Sequence, residues 1–197
     1  MGQTAFAGSG WVDIVTAMSG ENCNGEKRRN IHAPWRIEYI RQIDTDDGCF
    51  LCRARDETDR DAENLLLWRT GRCLAVLNQY PYTGGHLLIA PLEHVGTMAE
   101  LPGETLREIM ELARDAIKVL GETMRAEGFN VGFNIGRCAG AGLPGHIHLH
   151  VVPRWRGDKN FTAVLGDVRV IPQSLAEIRR EFLATAEKLA LPKCSDE

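Results

Sequence analysis

The sequence lacks a basic excess: 23 Lys and Arg stand against 27 Asp and Glu in 197 residues, a formal net charge of −4. That balance argues against a protein that binds nucleic-acid polymers through general electrostatics. No apolar run approaches the roughly 18 residues that a membrane span needs. Residues 1–19 lack a basic segment followed by a compact apolar stretch, so no secretory signal is expected. Cysteine is scarce as well. Six in the whole chain cannot form a disulfide scaffold, and the expected compartment is the reducing cytoplasm, where paired cysteines point to metal or redox chemistry. What remains is an ordinary globular mix, 44% apolar and 25% charged, with length for about one domain.

Residues 1–33 read as a partly flexible N-terminal extension, in which Gly8-Ser9-Gly10 and the polar run Glu21–Asn30 surround one apolar patch near Trp11. A compact domain is expected over 34–190, followed by a tail over 191–197. Pro34 followed by Trp35, Ile37 and Ile40 predicts a short helix, and the charged stretch Arg53–Glu63 a solvated turn or short helix. Leu65–Trp68 and Cys73–Leu77, joined at Thr70-Gly71, predict a β-hairpin. His86–Ala90 predicts a third strand, stopped by Pro91. Over Glu104–Glu127, apolar residues recur every three or four positions, which predicts a long amphipathic helix with Gly128 just past its end. Phe129–Ile135 and Ile147–Val152 predict two further strands. Ser174 with Glu177 forms a capping box that opens a second helix before Pro192. Together these predict an α+β fold: an antiparallel sheet of about five strands with the helices on one face.

Two clusters carry chemistry. The first is His146-Ile147-His148-Leu149-His150-Val151-Val152. On an extended strand alternate side chains share a face, so the three imidazoles line up on one side. With six histidines in the chain, a chance H-x-H-x-H is expected about 0.005 times; the bland alternative is a surface strand that happens to carry histidines. The preceding Gly140–Gly145 turn can bring backbone N–H groups close to an anion. The second cluster is Cys49-x-x-Cys52, which by itself reads as a redox pair, half of a metal site, or coincidence. Tetrahedral zinc needs four ligands, and Cys2His2 is a common structural set.

The histidine run resembles the signature of the histidine triad (HIT) family, in which three histidines alternate with apolar residues. Flanking stretches are similar to the bacterial branch related to diadenosine tetraphosphate phosphorylases: Ala33–Arg36, Leu77–Tyr82, Gly85–Leu87, Gly128–Gly132, Val152–Trp155, Gly157–Phe161 and Val170–Pro172. The resemblance implies a HIT-like fold and an enzyme that cleaves a dinucleoside polyphosphate at its α-phosphate. His148 would be the nucleophile, forming a covalent nucleotidyl-histidine. His150 would assist at the leaving group, and phosphate or water would be the acceptor. By the same resemblance Asn78, His86, Asn134, the Gly142 backbone and Trp155 contact substrate. A turn cap is the plain alternative for each asparagine, and a core or dimer position for Trp155. Related hydrolases carry Gln where this chain has Gly142, which favours phosphate as acceptor. Zinc-bearing members complete their site with two histidines, here His94 and His146, so Cys49, Cys52, His94 and His146 are the implied ligands of a structural Zn2+. A homodimer is implied too. Two other readings stay open: a nucleotide-binding scaffold with little turnover, and a metallohydrolase whose triad holds a catalytic metal.

Overall fold

The computed structural model describes residues 48–158 and 173–191. The expectations for residues 1–33, for the helix at Pro34 and for residues 192–197 lie outside the described residues. The elements run α1 (Phe50–Asp56), β1 (Leu66–Arg69), β2 (Cys73–Leu77), β3 (Leu87–Pro91), α2 (Gly103–Met124), β4 (Gly128–Phe133), β5 (Leu149–Arg154) and α3 (Leu175–Lys188). All strand pairs are antiparallel, in the order β1-β2-β3-β5-β4. The α+β fold with five strands is therefore as the sequence leads one to expect.

Strict alternation along the central strands makes two cores. Cys73, Ala75 and Leu77 of β2, Leu87 and Ile89 of β3, and Leu149 and Val151 of β5 face one way. They pack against Ile109, Leu112, Ala116 and Leu120 of α2 and against Ile178 and Phe182 of α3. Each large side chain buried there is worth roughly 1.5–3 kcal/mol before the cost of ordering the chain. Leu74, Val76, Leu88 and Ala90 face the other way, under Leu51 and Ala54 of α1. The expectation of helices on one face only is thus corrected. The charged stretch after Cys52, read as a turn or short helix, begins inside a short helix whose buried Leu51 and Ala54 cover part of the second face, and Cys49 caps it by accepting from the Cys52 backbone N–H at 3.4 Å.

Element ends differ from the sequence reading where pairing overrides propensity. Helix α2 stops at Met124, and Arg125 turns the chain in the left-handed region at φ 52°. The turn is needed because Glu127 N–H donates to the Arg154 carbonyl and Gly128 already pairs with Arg154. Gly128 is therefore the first residue of β4 and not a helix cap. Pro91 ends β3 inside the ladder, opposite Cys73, a position at a strand end where a missing N–H costs little. Helix α3 opens with the expected capping box of Ser174 and Glu177.

Gly85 fixes how the β2–β3 turn meets the helices. Its φ is +79°, and a Cβ there would lie 2.5 Å from Met124 Sδ, 3.0 Å from Leu120 Cδ2 and 3.2 Å from Phe182 Cζ. Gly85→Ala combines a strained backbone with overpacking, so a loss of about 2–4 kcal/mol is expected. Urea unfolding of the variant against the parent protein measures it, and an unchanged midpoint would refute the account.

Candidate active site and metal cluster

Residues of the second sheet face, at the β3–β5 end, form the site. The strand β5 begins at Leu149, so His146 and His148 lie just before it rather than within one straight strand. Pairing with β3 stops at Ile89↔Leu149, and the chain before it turns instead to the segment after β3, where Ile147 N–H donates to the Val95 carbonyl at 2.7 Å. The even-numbered rings still share one side, but they divide between two clusters. His148 and His150 lie with ring centroids 4.9 Å apart. The ring of His146 stands 5.0 Å from that of His94.

The imidazole of His148 is 6% exposed. Its Nδ1 lies 2.8 Å from the main-chain carbonyl of His146. A carbonyl can only accept, so Nδ1 carries the proton and Nε2 presents a lone pair. Burial holds the ring below the usual histidine range, so at pH 7 it is neutral and nucleophilic.

A second chain of hydrogen bonds fixes His150. The Tyr82 backbone N–H donates to His86 Nδ1 at 3.1 Å, and the Asn78 amide lies 3.1 Å from the same nitrogen. His86 Nδ1 is therefore an acceptor, and its proton sits on Nε2. That N–H points at His150 Nδ1, 3.0 Å away, so His150 accepts there and carries its own proton on Nε2. The Asn134 amide lies 3.2 Å from this Nε2, and a half-turn of the amide offers the oxygen that complements an N–H. Burial, then repulsion from His148, lowers the His150 pKa to about 4. Asn78 also accepts from the Tyr80 backbone N–H through Oδ1 at 2.9 Å, so it is a turn cap and a neighbour of His86 at once.

Sequence-picked residues do not all converge. Asn78, His86, Asn134, His148 and His150 form one connected network. Gly142 lies half-buried in the turn before His146, without a polar contact to the rings among the described residues. Trp155 stands past the far end of β5, and its indole N–H donates to the Met124 carbonyl at 3.1 Å. That commitment leaves only the ring face for any ligand. Sequence reasoning assigned no role to Tyr82, whose ring lies 4.7 Å from that of His86 and 5.9 Å from that of His150. The available signal was an aromatic residue in a turn that leads through Gly84-Gly85 straight into His86.

The other four donors come together as expected. Ligand atoms of Cys49, Cys52, His94 and His146 all lie within 4.8 Å of one another. Cys49 Sγ is 3.1 Å and Cys52 Sγ 3.6 Å from His146 Nδ1, while Cys52 Sγ is 3.2 Å from His94 Nδ1. Tetrahedral zinc bonds of ~2.0–2.3 Å put neighbouring ligand atoms roughly 3.3–3.8 Å apart, so the set is close to the right size. His146 Nε2 donates to the Pro91 carbonyl at 2.9 Å, which leaves Nδ1 unprotonated and turned toward the thiols. This outer partner is what a ligating histidine requires. Burial pushes the Cys49 thiol up to about 11 and His146 down to about 4. A cation would offset the first effect by favouring the thiolate. These residues fit a metal ion, which in this place would tie α1 and the segment after β3 to the start of the triad.

A buried His148 beside a half-buried His150, both rings oriented by hydrogen bonds, with a four-donor cluster alongside, is the arrangement expected of a HIT-type site, and the comparisons agree. The HIT domain family matches residues 59–157. The AP-4-A phosphorylase of Mycobacterium tuberculosis is 37% identical over 166 residues, covering 81% of this chain and 85% of that protein. The adenosine 5'-monophosphoramidase hnt1 of Schizosaccharomyces pombe is 32% identical over 107 residues, covering 54% and 74%. A Zn-bound histidine triad family protein from Mycobacterium smegmatis superposes with a TM-score of 0.59 at 27% identity, over 73% of this chain and 96% of that one. This chain belongs to the HIT family.

Proposed function

We propose that the protein transfers a nucleoside monophosphate from a dinucleoside polyphosphate of the diadenosine tetraphosphate kind, through a covalent intermediate on His148. The observation that carries this reading is the His148 Nδ1–H bond to the His146 carbonyl, which leaves Nε2 as the attacking lone pair. Attack at an α-phosphorus forms the N–P bond and breaks the bridging P–O bond toward the leaving nucleotide. His150, with its proton on Nε2, meets the leaving oxygen. Asn134 and the Gly140–Gly145 turn supply hydrogen bonds to phosphate oxygens, Asn78 and Trp155 contact the nucleoside, and in-line placement does most of the work. A phosphate oxygen then attacks the nucleotidyl-histidine, restores His148 and releases a nucleoside diphosphate. Similarity to a phosphorylase over most of both chains supports phosphate as the acceptor.

Zinc is the ion this reading assigns to Cys49, Cys52, His94 and His146. With all four ligands supplied by protein the site is closed, so it holds structure and does not activate water. A reducing compartment would keep its thiols available. No helix among the described residues is long and apolar enough to cross a membrane. Among the described residues strand β4 pairs with β5 on one side only and exposes Val131, with Ile135 just beyond its end. This edge, with α2, is the contact proposed for a homodimer.

The deciding experiment supplies diadenosine tetraphosphate with isotopically labelled phosphate. ATP and ADP are expected, with the label in ADP. Equal rates without phosphate, giving AMP and ATP, would make the protein a hydrolase. Cleavage of adenosine phosphoramidate alone would instead favour the activity named for the S. pombe relative.

A further inference from the structure

We propose that Arg137 is the centre of an anion subsite on the leaving-group side: it binds the phosphates of the departing nucleotide and then the acceptor phosphate. The proposal rests on the reading of the site given above. A polyphosphate carries a negative charge on each phosphate, and its transfer from water to a protein cleft needs compensating charge. The rings supply none. Burial keeps His148 and His150 neutral at pH 7, and His86 accepts through Nδ1 while donating through Nε2.

Three segments surround the rings: the β2–β3 turn over 78–86, the stretch after β3 over 92–98, and the β4–β5 connection over 134–148. Arg137 is the only Lys or Arg in them. The cations of neighbouring elements are engaged elsewhere, Arg55 with Asp56 and the Leu92 carbonyl, Arg154 with Asp158 and Asn130. Arg137 is exposed, and among the described residues its side chain makes no hydrogen bond or ion pair. The connection is rooted at Asn134, against His150 Nε2. Just beyond, the chain closes on itself: Ala139 and Ala141 N–H both donate to the Gly136 carbonyl, and Gly140 N–H donates to the Arg137 carbonyl. Gly136 and Gly140 allow this with φ of +81° and +88°. The tight turn keeps Arg137 near Asn134, at most about 11 Å along the chain. In the proposed reaction His150 meets the leaving oxygen, so the phosphates beyond that oxygen start from the side where this turn is rooted. An in-line second step brings the acceptor in where the leaving group departed. The same guanidinium therefore receives inorganic phosphate.

The test is calorimetric titration of the full-length protein with α,β-methylene-ATP, whose carbon bridge prevents cleavage at the α-phosphate, and with AMP, both in magnesium-free buffer. Arg137→Ala should weaken α,β-methylene-ATP by roughly ten- to hundredfold and leave AMP within about twofold. Arg137→Lys should retain part of the difference, and Arg137→Glu should bind the triphosphate more weakly than alanine does. Added salt should weaken triphosphate binding more in the parent than in Arg137→Ala. In turnover of diadenosine tetraphosphate, Arg137→Ala should raise the KM for phosphate. Unchanged triphosphate affinity in Arg137→Ala, an equal loss for AMP, or glutamate and alanine variants that bind alike would overturn the subsite, and an unchanged KM for phosphate would remove the acceptor from it. AMP binding also reports that each variant is folded. If the affinities change as expected while the parent cleaves no dinucleotide, the proposed function fails and the subsite stands. If the parent is a phosphorylase and Arg137→Ala changes nothing, the reverse holds.

Discussion

Replacing His148 with alanine should reduce turnover of diadenosine tetraphosphate by roughly four to six orders of magnitude, because the covalent route loses its nucleophile. That loss corresponds to roughly 5–8 kcal/mol of barrier. Nucleotide binding should change little, since Asn78, Asn134 and the Gly140–Gly145 turn are untouched. Isothermal titration calorimetry with the substrate and single-turnover assays for product separate the two quantities. A structural cost has to be subtracted. The His146 carbonyl loses the N–H that it accepts from His148, and a buried acceptor without a partner costs about 1–3 kcal/mol. His148→Asn keeps an N–H donor near that carbonyl but no ring lone pair. It should match alanine in activity and exceed it in stability. Full activity in either variant would end the covalent mechanism. A second check follows from the intermediate itself: a nucleotidyl-histidine, whose N–P bond is acid-labile, should be trapped on the parent protein by omitting phosphate and quenching without acid, and should be missing from both variants.

The reach of the sequence can be seen at particular residues. Cys73–Leu77 and the strand after His86 form where their apolar runs put them, and being buried on both faces they gave no sign in the sequence of which side chains face α2 and α3. The ends of α2 and β4 were misplaced because Gly128 has two competing uses. As a free glycine it reads as a helix stop, yet its pairing with Arg154 makes it a strand. Helix α1 was half legible for a similar reason: seven residues with three of them charged in its last half read equally as a solvated turn or a short helix, and only the contact of Leu51 and Ala54 with the sheet shows the covered face. At the site, residue types and spacing found the imidazoles, the asparagines and the cysteines, since those carry the chemistry in their side chains. What they missed acts through the main chain. The His146 carbonyl, the Pro91 carbonyl and the Tyr82 N–H fix three histidine tautomers, and every residue has such groups, so no residue type marks them. Trp155 shows the converse: its position in a motif suggested a ligand contact, and only the structure shows that its indole N–H is given to the end of α2, which leaves the ring face for that contact.

Emptying the metal cluster should be felt twice, first in stability and then at His148. Stripping the ion with a chelator, or making Cys52→Ser, removes a cross-link between α1, the segment after β3 and the start of the triad, and metal-binding energy is part of folding energy. The hydrophobic cores on both sheet faces remain, so the domain should stay folded with a loss of about 4 kcal/mol. For a chain of this size that lowers Tm by roughly 8–16 °C. Metal analysis of protein never exposed to chelator should find one zinc per chain, and readdition of zinc to the stripped parent should restore Tm. The second effect follows from His146 being shared. Its ring belongs to the cluster, while its carbonyl orients His148 and its neighbour Ile147 is tied to Val95, one residue from His94. Freedom gained by the His146 ring is therefore passed to its carbonyl, two residues before the nucleophile. Small misplacements of reacting groups are costly to rate, so kcat should fall in the stripped protein well below the melting range while KM changes less. The resonance of His148 Nδ1–H, kept in place by the His146 carbonyl in the loaded protein, should broaden or shift when zinc is removed. An absence of zinc in unchelated protein, or a Cys52→Ser variant with unchanged Tm, would remove the cluster from the account of the fold. A stripped protein with lowered Tm but unaltered kcat and an unmoved His148 resonance would confine the ion to stability and leave the nucleophile to be oriented by the sheet alone.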